Sequence, residues 1–306
     1  MPVEILRLKV KPPFNLDLTM KATEPAAPTI YVNGTLSRAI RVSSGKLIPV
    51  EVRQIGDVEN PKIEINFLIE VNFKDKTEIV EILKRFLCTN DDITEAYEIM
   101  REDKRISWIE EELYGVRPWT SLNPYESLID AIIFQQISLR AAFSMIKSLV
   151  RKLGDYIEVY GKIYRDFPTP KRLAESSIEE LHSCKLSRNK AMYIKGIANR
   201  VLSGFDFESL AEMSIEKAIS KLMEFKGVGR WTAEIVLATG FKRWDVVPVD
   251  DLGIRRAISR FYFGGKEVSR NDIHRIISNW GENAWIISYY LLVACERLEK
   301  LKARKI

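Results

Sequence analysis

Near residue 90 the spacing of apolar residues changes from every second position to every third or fourth. Before that point, IEINFLIEVNF (63–73) places Ile63, Ile65, Phe67, Ile69, Val71 and Phe73 on one side, as a half-buried strand does. TIYVNGTLSRAIRV (29–42) carries Asn33-Gly34, a strong hairpin signal, and LIPVEVRQI (47–55) reads as a further strand. KTEIVEILKRFL (76–87) reads as a helix, and from about residue 90 the helical period persists. The change of period divides the chain into a small mixed β/α unit followed by a long helical one. With 306 residues there is room for two cores. The expected fold class is α+β: a small N-terminal β-rich mixed domain over 1–88, then an all-helical domain over 89–306.

The second half carries its own start signals. DITEAYEIMREDKRISWIEEEL gives one or two helices. In SLNPYESLIDAIIFQQISLRAAFSMIKSLVRKLG (121–154), Asn123 fits an N-cap and Pro124 the first helical position, and the length implies a break near Gln136. SSIEELHSC offers a capping box from Ser177 to Glu180. SRNKAMYIKGIANRVLSG, SIEKAISKLMEF and DLGIRRAISRFYFGG add three more helices.

Several chemistries are disfavoured. Cys88, Cys184 and Cys295 form no CxxC spacing, and His182 and His274 do not share a helix face, which leaves a zinc or iron–sulfur site without support. MPVEILRLKVKPPF is too charged and proline-rich for a signal peptide, and no apolar run nears the ~20 residues of a membrane span. A cytoplasmic, reducing location without a membrane partner is expected. The net charge of +5 permits a polyanionic partner without requiring one.

The segment with most chemical content is FKGVGRWTAEIVLATG (225–240). KLMEF ends one helix, Lys226-Gly227-Val228-Gly229 forms a tight turn, and Arg230-Trp231 begins the next. Glycine readily supplies positive φ, and the N–H groups that open the second helix lack internal partners and suit a phosphate. The same geometry also fits a plain helix connector. Beyond it stands DVVPVDDLGIRRAI, with Asp250 and Asp251 nineteen and twenty residues after Trp231.

FKGVGRWTAEIVL followed by VVPVDDLGIRR resembles the helix-hairpin-helix DNA glycosylase superfamily, nearest to its 3-methyladenine DNA glycosylase II branch. NPYESLIDAIIFQQIS, DFPTPKRLAESSIEEL and LSRNKAMYIKGIA resemble further segments of that family in the same order. The resemblance covers residues 90 to 300, and the N-terminal unit in outline. It implies a monofunctional glycosylase of base excision repair, a monomer acting on double-stranded DNA that contains damaged bases. Such an enzyme flips out alkylated purines of the 3-methyladenine and 7-methylguanine type and hydrolyses the N-glycosidic bond.

By that resemblance Lys226, Gly227, Val228, Gly229 and Arg230 grip the DNA backbone. The carbonyls of Met223, Phe225 and Val228 match a site that bridges a monovalent cation, potassium or sodium, to a phosphate; no cofactor is implied for catalysis. The catalytic aspartate has two candidates. The P-x-x-D-L-G pattern of the alkylation branch selects Asp251, which is the expected catalytic residue, whereas the P-V-D triplet of the 8-oxoguanine branch would select Asp250. Asp251 also fits an N-cap of helix 252–262. Position 231 holds lysine in bifunctional relatives; Trp231 offers no amine, but its ring can stack on a flipped cationic base. An apolar residue at such a helix position is more often part of the core. Gln136 falls where relatives place the residue that fills the gap left in the duplex, with Gln135 the neighbour most easily confused with it. The tyrosine some relatives carry one turn after the tryptophan is Ile235 here, and Tyr289, Tyr290 and Trp285 are candidates for a missing late tryptophan. The alternatives are an 8-oxoguanine glycosylase/lyase and a non-catalytic hairpin DNA-binding protein.

Overall fold

In a computed structural model, which describes residues 2–23 and 25–303, the first part is a five-stranded sheet with two helices. Residues 1 and 304–306, the outer ends of the two expected domains, lie outside the described residues. The elements are β1 (Glu4–Lys9), α1 (Leu16–Thr23), β2 (Ile30–Val32), β3 (Thr35–Arg41), β4 (Leu47–Ile55), β5 (Lys62–Phe67) and α2 (Phe73–Phe86). The strand order is β1-β5-β4-β3-β2, and every neighbouring pair is antiparallel. Asn33 (φ 50°) and Gly34 (φ 76°) make the tight turn between β2 and β3, both left-handed as a primed turn requires. The strand expected over 63–73 stops at Phe67. Five residues on, the Asn72 side chain accepts from the Asp75 N–H and starts α2 at Phe73, whose side chain is 84% exposed rather than inward.

The rest is helical: α3 (Thr94–Glu102), α4 (Ser107–Glu112), α5 (Pro124–Phe134) and α6 (Leu139–Leu153), then β6 (Tyr156–Val159) and β7 (Lys162–Arg165). These are followed by α7 (Pro170–Glu175), α8 (Ile178–Ser183), α9 (Arg188–Leu202), α10 (Ile215–Met223), α11 (Arg230–Ile235), α12 (Leu252–Tyr262), α13 (Arg270–Ile277) and α14 (Ala284–Ala303). Asn123 caps α5 and Pro124 opens it, and the break near Gln136 separates α5 from α6. Ser177 caps α8 through the Glu180 N–H, while the Glu180 carboxylate turns to Arg172.

The hairpin β6–β7 was not expected. It turns at Tyr160 (φ 54°) and Gly161 (φ 72°) and lies on the sheet. Lys162 Nζ donates to Glu51 at 2.7 Å and to Ser37 Oγ at 3.1 Å, and Tyr164 Oη donates to Glu51 at 2.8 Å. Tyr164 is buried with Ala39 and Leu68. Strand β3 is therefore covered on both faces, and Leu36 to Ile40 are all buried.

Two cores result. One joins α1, α2 and the inner sheet face; the other fills the helical part. Between them, Arg38 occupies an inward position of β3 between Leu36 and Ile40. Its guanidinium, 1% exposed, donates to both Glu126 oxygens of α5 at 2.9 and 2.6 Å and lies 3.5 Å from Asp166. Leaving such a buried charge without its partner costs about 3–5 kcal/mol, so the pair fixes where α5 sits against the sheet. Burial pushes the Asp166 carboxyl up to about 6, against the opposing pull of Arg38. Asp130, one turn beyond Glu126, is raised well above the ordinary carboxylate range by burial and by the Glu126 charge. Arg117 completes the join by donating to the carbonyls of Asp91, Lys11 and Pro13.

Candidate active site

Helix α10 ends because its last turn is followed by a reverse turn, in which the Val228 N–H donates to Phe225 O at 3.1 Å. Gly227 takes the third position of that turn at φ +90°, a region that L side chains rarely adopt. A Cβ there would lie 2.3 Å from Tyr193 Cδ2, so the aromatic ring of α9 rests directly on the glycine. Gly229 is the N-cap of α11, has no side-chain cap, and faces open space. The N–H groups that open α11 thus have no side-chain cap among the described residues.

The charges around this loop differ in availability. Lys226 is exposed. Arg230 is committed: it forks onto Glu216 at 3.0 and 2.6 Å and reaches Glu234 at 2.8 Å. Glu234 is buried, and that burial raises its carboxyl despite Arg230. Among the cation-ligand candidates, Phe225 O already closes the reverse turn; a carbonyl oxygen has two lone pairs, so one remains. No group of three or more His, Cys, Asp or Glu that could hold a metal ion occurs among the described residues.

The two aspartates are separated by their surroundings. Asp251 caps α12: its Oδ1 accepts from the Gly253 N–H at 2.8 Å and the Ile254 N–H at 3.0 Å. Its Oδ2 accepts from Trp231 Nε1 at 3.0 Å. Three N–H donors thus orient one half-buried carboxylate. Gly253 lets that first turn sit against α14, since a Cβ would come within 2.7 Å of Leu292 Cδ1. Asp250 points elsewhere; its side chain is 50% exposed and lies 3.5 Å from Arg270. The Trp231–Asp251 bond joins two residues singled out by sequence, but nothing in their spacing foretold it.

Gln136 is exposed at the end of α5 with φ 55°, and Gln135 turns inward. Gln135 Nε2 donates to Gly227 O and to Thr232 Oγ1, both at 2.8 Å. Lys190 Nζ donates to Ile133 O at 2.7 Å and Gln135 O at 2.8 Å. In the sequence Gln135 stands out only as the neighbour of Gln136, and Lys190 carries no signal of its own. The tandem Gln135-Gln136 at a helix break was the available signal. The α14 aromatic candidates turn into the core, with Trp285 and Tyr289 at 3% exposure and Tyr290 at 0%; Tyr290 Oη donates to Val116 O.

A family model described as HhH-GPD superfamily base excision DNA repair protein matches residues 129–283, which include Gln136, the hairpin and Asp251. The solved 3-methyladenine DNA-glycosylase from Archaeoglobus fulgidus is similar over 94% of this chain and 97% of that one, with 31% identity and a TM-score of 0.84. The DNA-3-methyladenine glycosylase of Bacillus subtilis (strain 168) is 29% identical over 242 residues, 78% of this chain and 80% of that protein. A "Probable N-glycosylase/DNA lyase" of Methanothermobacter thermautotrophicus is 25% identical over 299 residues, 91% of this chain and 92% of the relative. No helix among the described residues is long and apolar enough to cross a membrane.

Proposed function

Since this chain belongs to the HhH-GPD superfamily of base excision DNA repair proteins, we propose that it is a monofunctional DNA glycosylase that removes alkylated purines from double-stranded DNA. The observation that carries this reading is the 3.0 Å bond from Trp231 Nε1 to Asp251 Oδ2. It brings the ring at the base-pocket position and the carboxylate into one unit that contains no amine. A lyase of this family needs a lysine where Trp231 stands, and this separates the reading from that of the 25%-identical relative named as a lyase.

In this mechanism the hairpin loop, Lys226 to Arg230, holds the backbone of the damaged strand. A monovalent cation held by the carbonyls of Met223, Phe225 and Val228 would add positive charge between loop and phosphate. Gln136 enters the duplex as the damaged nucleotide leaves the stack. The extruded base lies against Trp231, whose π face attracts a cationic purine. As the N-glycosidic bond breaks, C1′ gains oxocarbenium character and the electron pair leaves with the base. The Asp251 carboxylate, fixed by its three donors, stabilises that charge and takes a proton from the water that bonds to C1′. An alkylated purine already carries positive charge, so it departs without a general acid. The same reading divides the chain after residue 88, makes it act as a monomer and has it work in the cytoplasm.

The test is a panel of duplexes carrying methylated purines, hypoxanthine, ethenoadenine or 8-oxoguanine. Release of 3-methyladenine or 7-methylguanine, with abasic strands that stay intact until heated in base, is the expected result. Strand scission without that treatment would overturn the monofunctional assignment.

A further inference from the structure

Two loops have to act together for a base to be pushed from a duplex that is held by its backbone. One contains Gln136 and the other is the 225–229 turn. They are 92 residues apart at the Gln135–Gly227 contact, yet α9 touches both, through Lys190 and Tyr193. Lys190 Nζ takes the carbonyls of Ile133 and Gln135 at the end of α5, acceptors that a helix terminus otherwise leaves unmet. The Lys190 amine is partly withdrawn from solvent, and burial lowers its proton affinity. Tyr193, three residues further and on the same side of α9, is the ring beneath Gly227. Gln135 closes the triangle, with both amide hydrogens spent on Gly227 O and Thr232 Oγ1. Gln136 sits in this frame at φ 55°, a conformation that a side-chain-bearing residue keeps only where its surroundings impose it.

We propose that Lys190 and Gln135 are positioning residues that brace the Gln136 loop against the hairpin, and that this brace sets how readily a paired damaged base is extruded. Neither touches the reacting atoms. Lys190 fixes the direction of the peptide that leads into Gln136, and Gln135 passes any load on that loop to the turn that grips the backbone. Without the brace, Gln136 yields when it meets a stacked pair, while the hairpin and Asp251 stay as they are. The proposal rests on the reading of Gln136 as the residue that enters the duplex.

The experiment uses the full chain in the Asp251→Asn background, so that extrusion is read without chemistry. The duplex carries one 7-methylguanine beside 2-aminopurine, whose fluorescence rises as its neighbour unstacks. Lys190→Met is expected to lower the extrusion equilibrium about tenfold, the equivalent of one charge-assisted hydrogen bond. Lys190→Arg, which can still donate to two carbonyls, restores most of it. Placing an abasic analogue opposite the lesion, which removes the pairing to be broken, brings Lys190→Met back to the parent value. Affinity for undamaged duplex stays within about twofold, since backbone contacts supply non-specific binding. Gln135→Leu gives the same pattern and serves if Lys190→Met does not fold. Equal extrusion in parent and variants, or an equal loss on paired and unpaired lesions, overturns the brace. No fluorescence change with the Asp251→Asn parent overturns the underlying reading instead.

Discussion

Replacing Gly227 with alanine separates two costs that the structure superposes at one atom. The added Cβ meets Tyr193 Cδ2 at 2.3 Å, Cγ at 2.4 Å and Cε2 at 2.8 Å, and the backbone stays at φ +90°. Left-handed backbone costs an L residue about 1–2 kcal/mol. Overpacking of this kind adds about 1–3 kcal/mol, because the ring must leave its place on α9. The sum, about 2–5 kcal/mol, is a large share of the ~5–15 kcal/mol that holds a domain together. Urea unfolding at constant slope reads it as a lower midpoint. Tyr193→Ala removes the obstacle and leaves only the backbone cost, so Gly227→Ala in that background is milder by about 1–3 kcal/mol, and the two changes couple favourably. A Gly227→Ala midpoint matching the parent to within about 0.5 kcal/mol, or strictly additive effects, would refute the argument that the ring and the turn are fitted to each other.

Three further outcomes follow from the same geometry. Lys226→Ala weakens binding to any duplex and flattens the dependence of log affinity on log salt by about one phosphate's worth, whereas Arg230→Ala moves that slope less, because its guanidinium is engaged by Glu216 and Glu234; fluorescence anisotropy across a salt series reads both. Trp231→Phe keeps a ring but loses the N–H that holds Asp251 Oδ2, and single-turnover base release slows about tenfold or more with undamaged-duplex affinity unchanged. Asp166 is raised from 3.8 to about 6 in the folded chain, so wild type binds that proton more tightly when folded and loses stability as pH rises from about 4 to about 6. Asp166→Asn lacks this loss, and the wild-type minus variant stability therefore falls by up to about 3 kcal/mol across that window in pH-resolved urea titrations.

Local signals in the sequence located most elements, and long-range ones escaped it. Strand β4 is bounded at Leu47 and Ile55 as the alternation implies, and the Asn33-Gly34 turn follows from backbone preference alone. The apolar alternation runs on through Phe73, but the ladder ends at Phe67, the last residue paired with β1 and β4, and the Asn72 cap then commits Phe73 to α2. The β6–β7 hairpin had its cue in Tyr160-Gly161 between short alternating runs, masked by the helices on either side. At the candidate site, Asp251 as an N-cap of α12 was legible because capping is a property of neighbours in the chain. That Trp231 would donate to it, that Gln135 would reach Gly227, and that Arg38 would lie buried against Glu126 depend on how helices dock. No window of residues contains that information.

On the proposed function, the carboxylate held by Trp231 stabilises the developing charge and activates the water. Single-turnover release of 7-methylguanine measured side by side for Asp251→Asn and Asp250→Asn tests it most directly. Asp251→Asn is expected to abolish release while still binding damaged duplex, and Asp250→Asn, which gives up an exposed contact with Arg270, to stay near wild type. Loss of release in Asp250→Asn with retention in Asp251→Asn would contradict it.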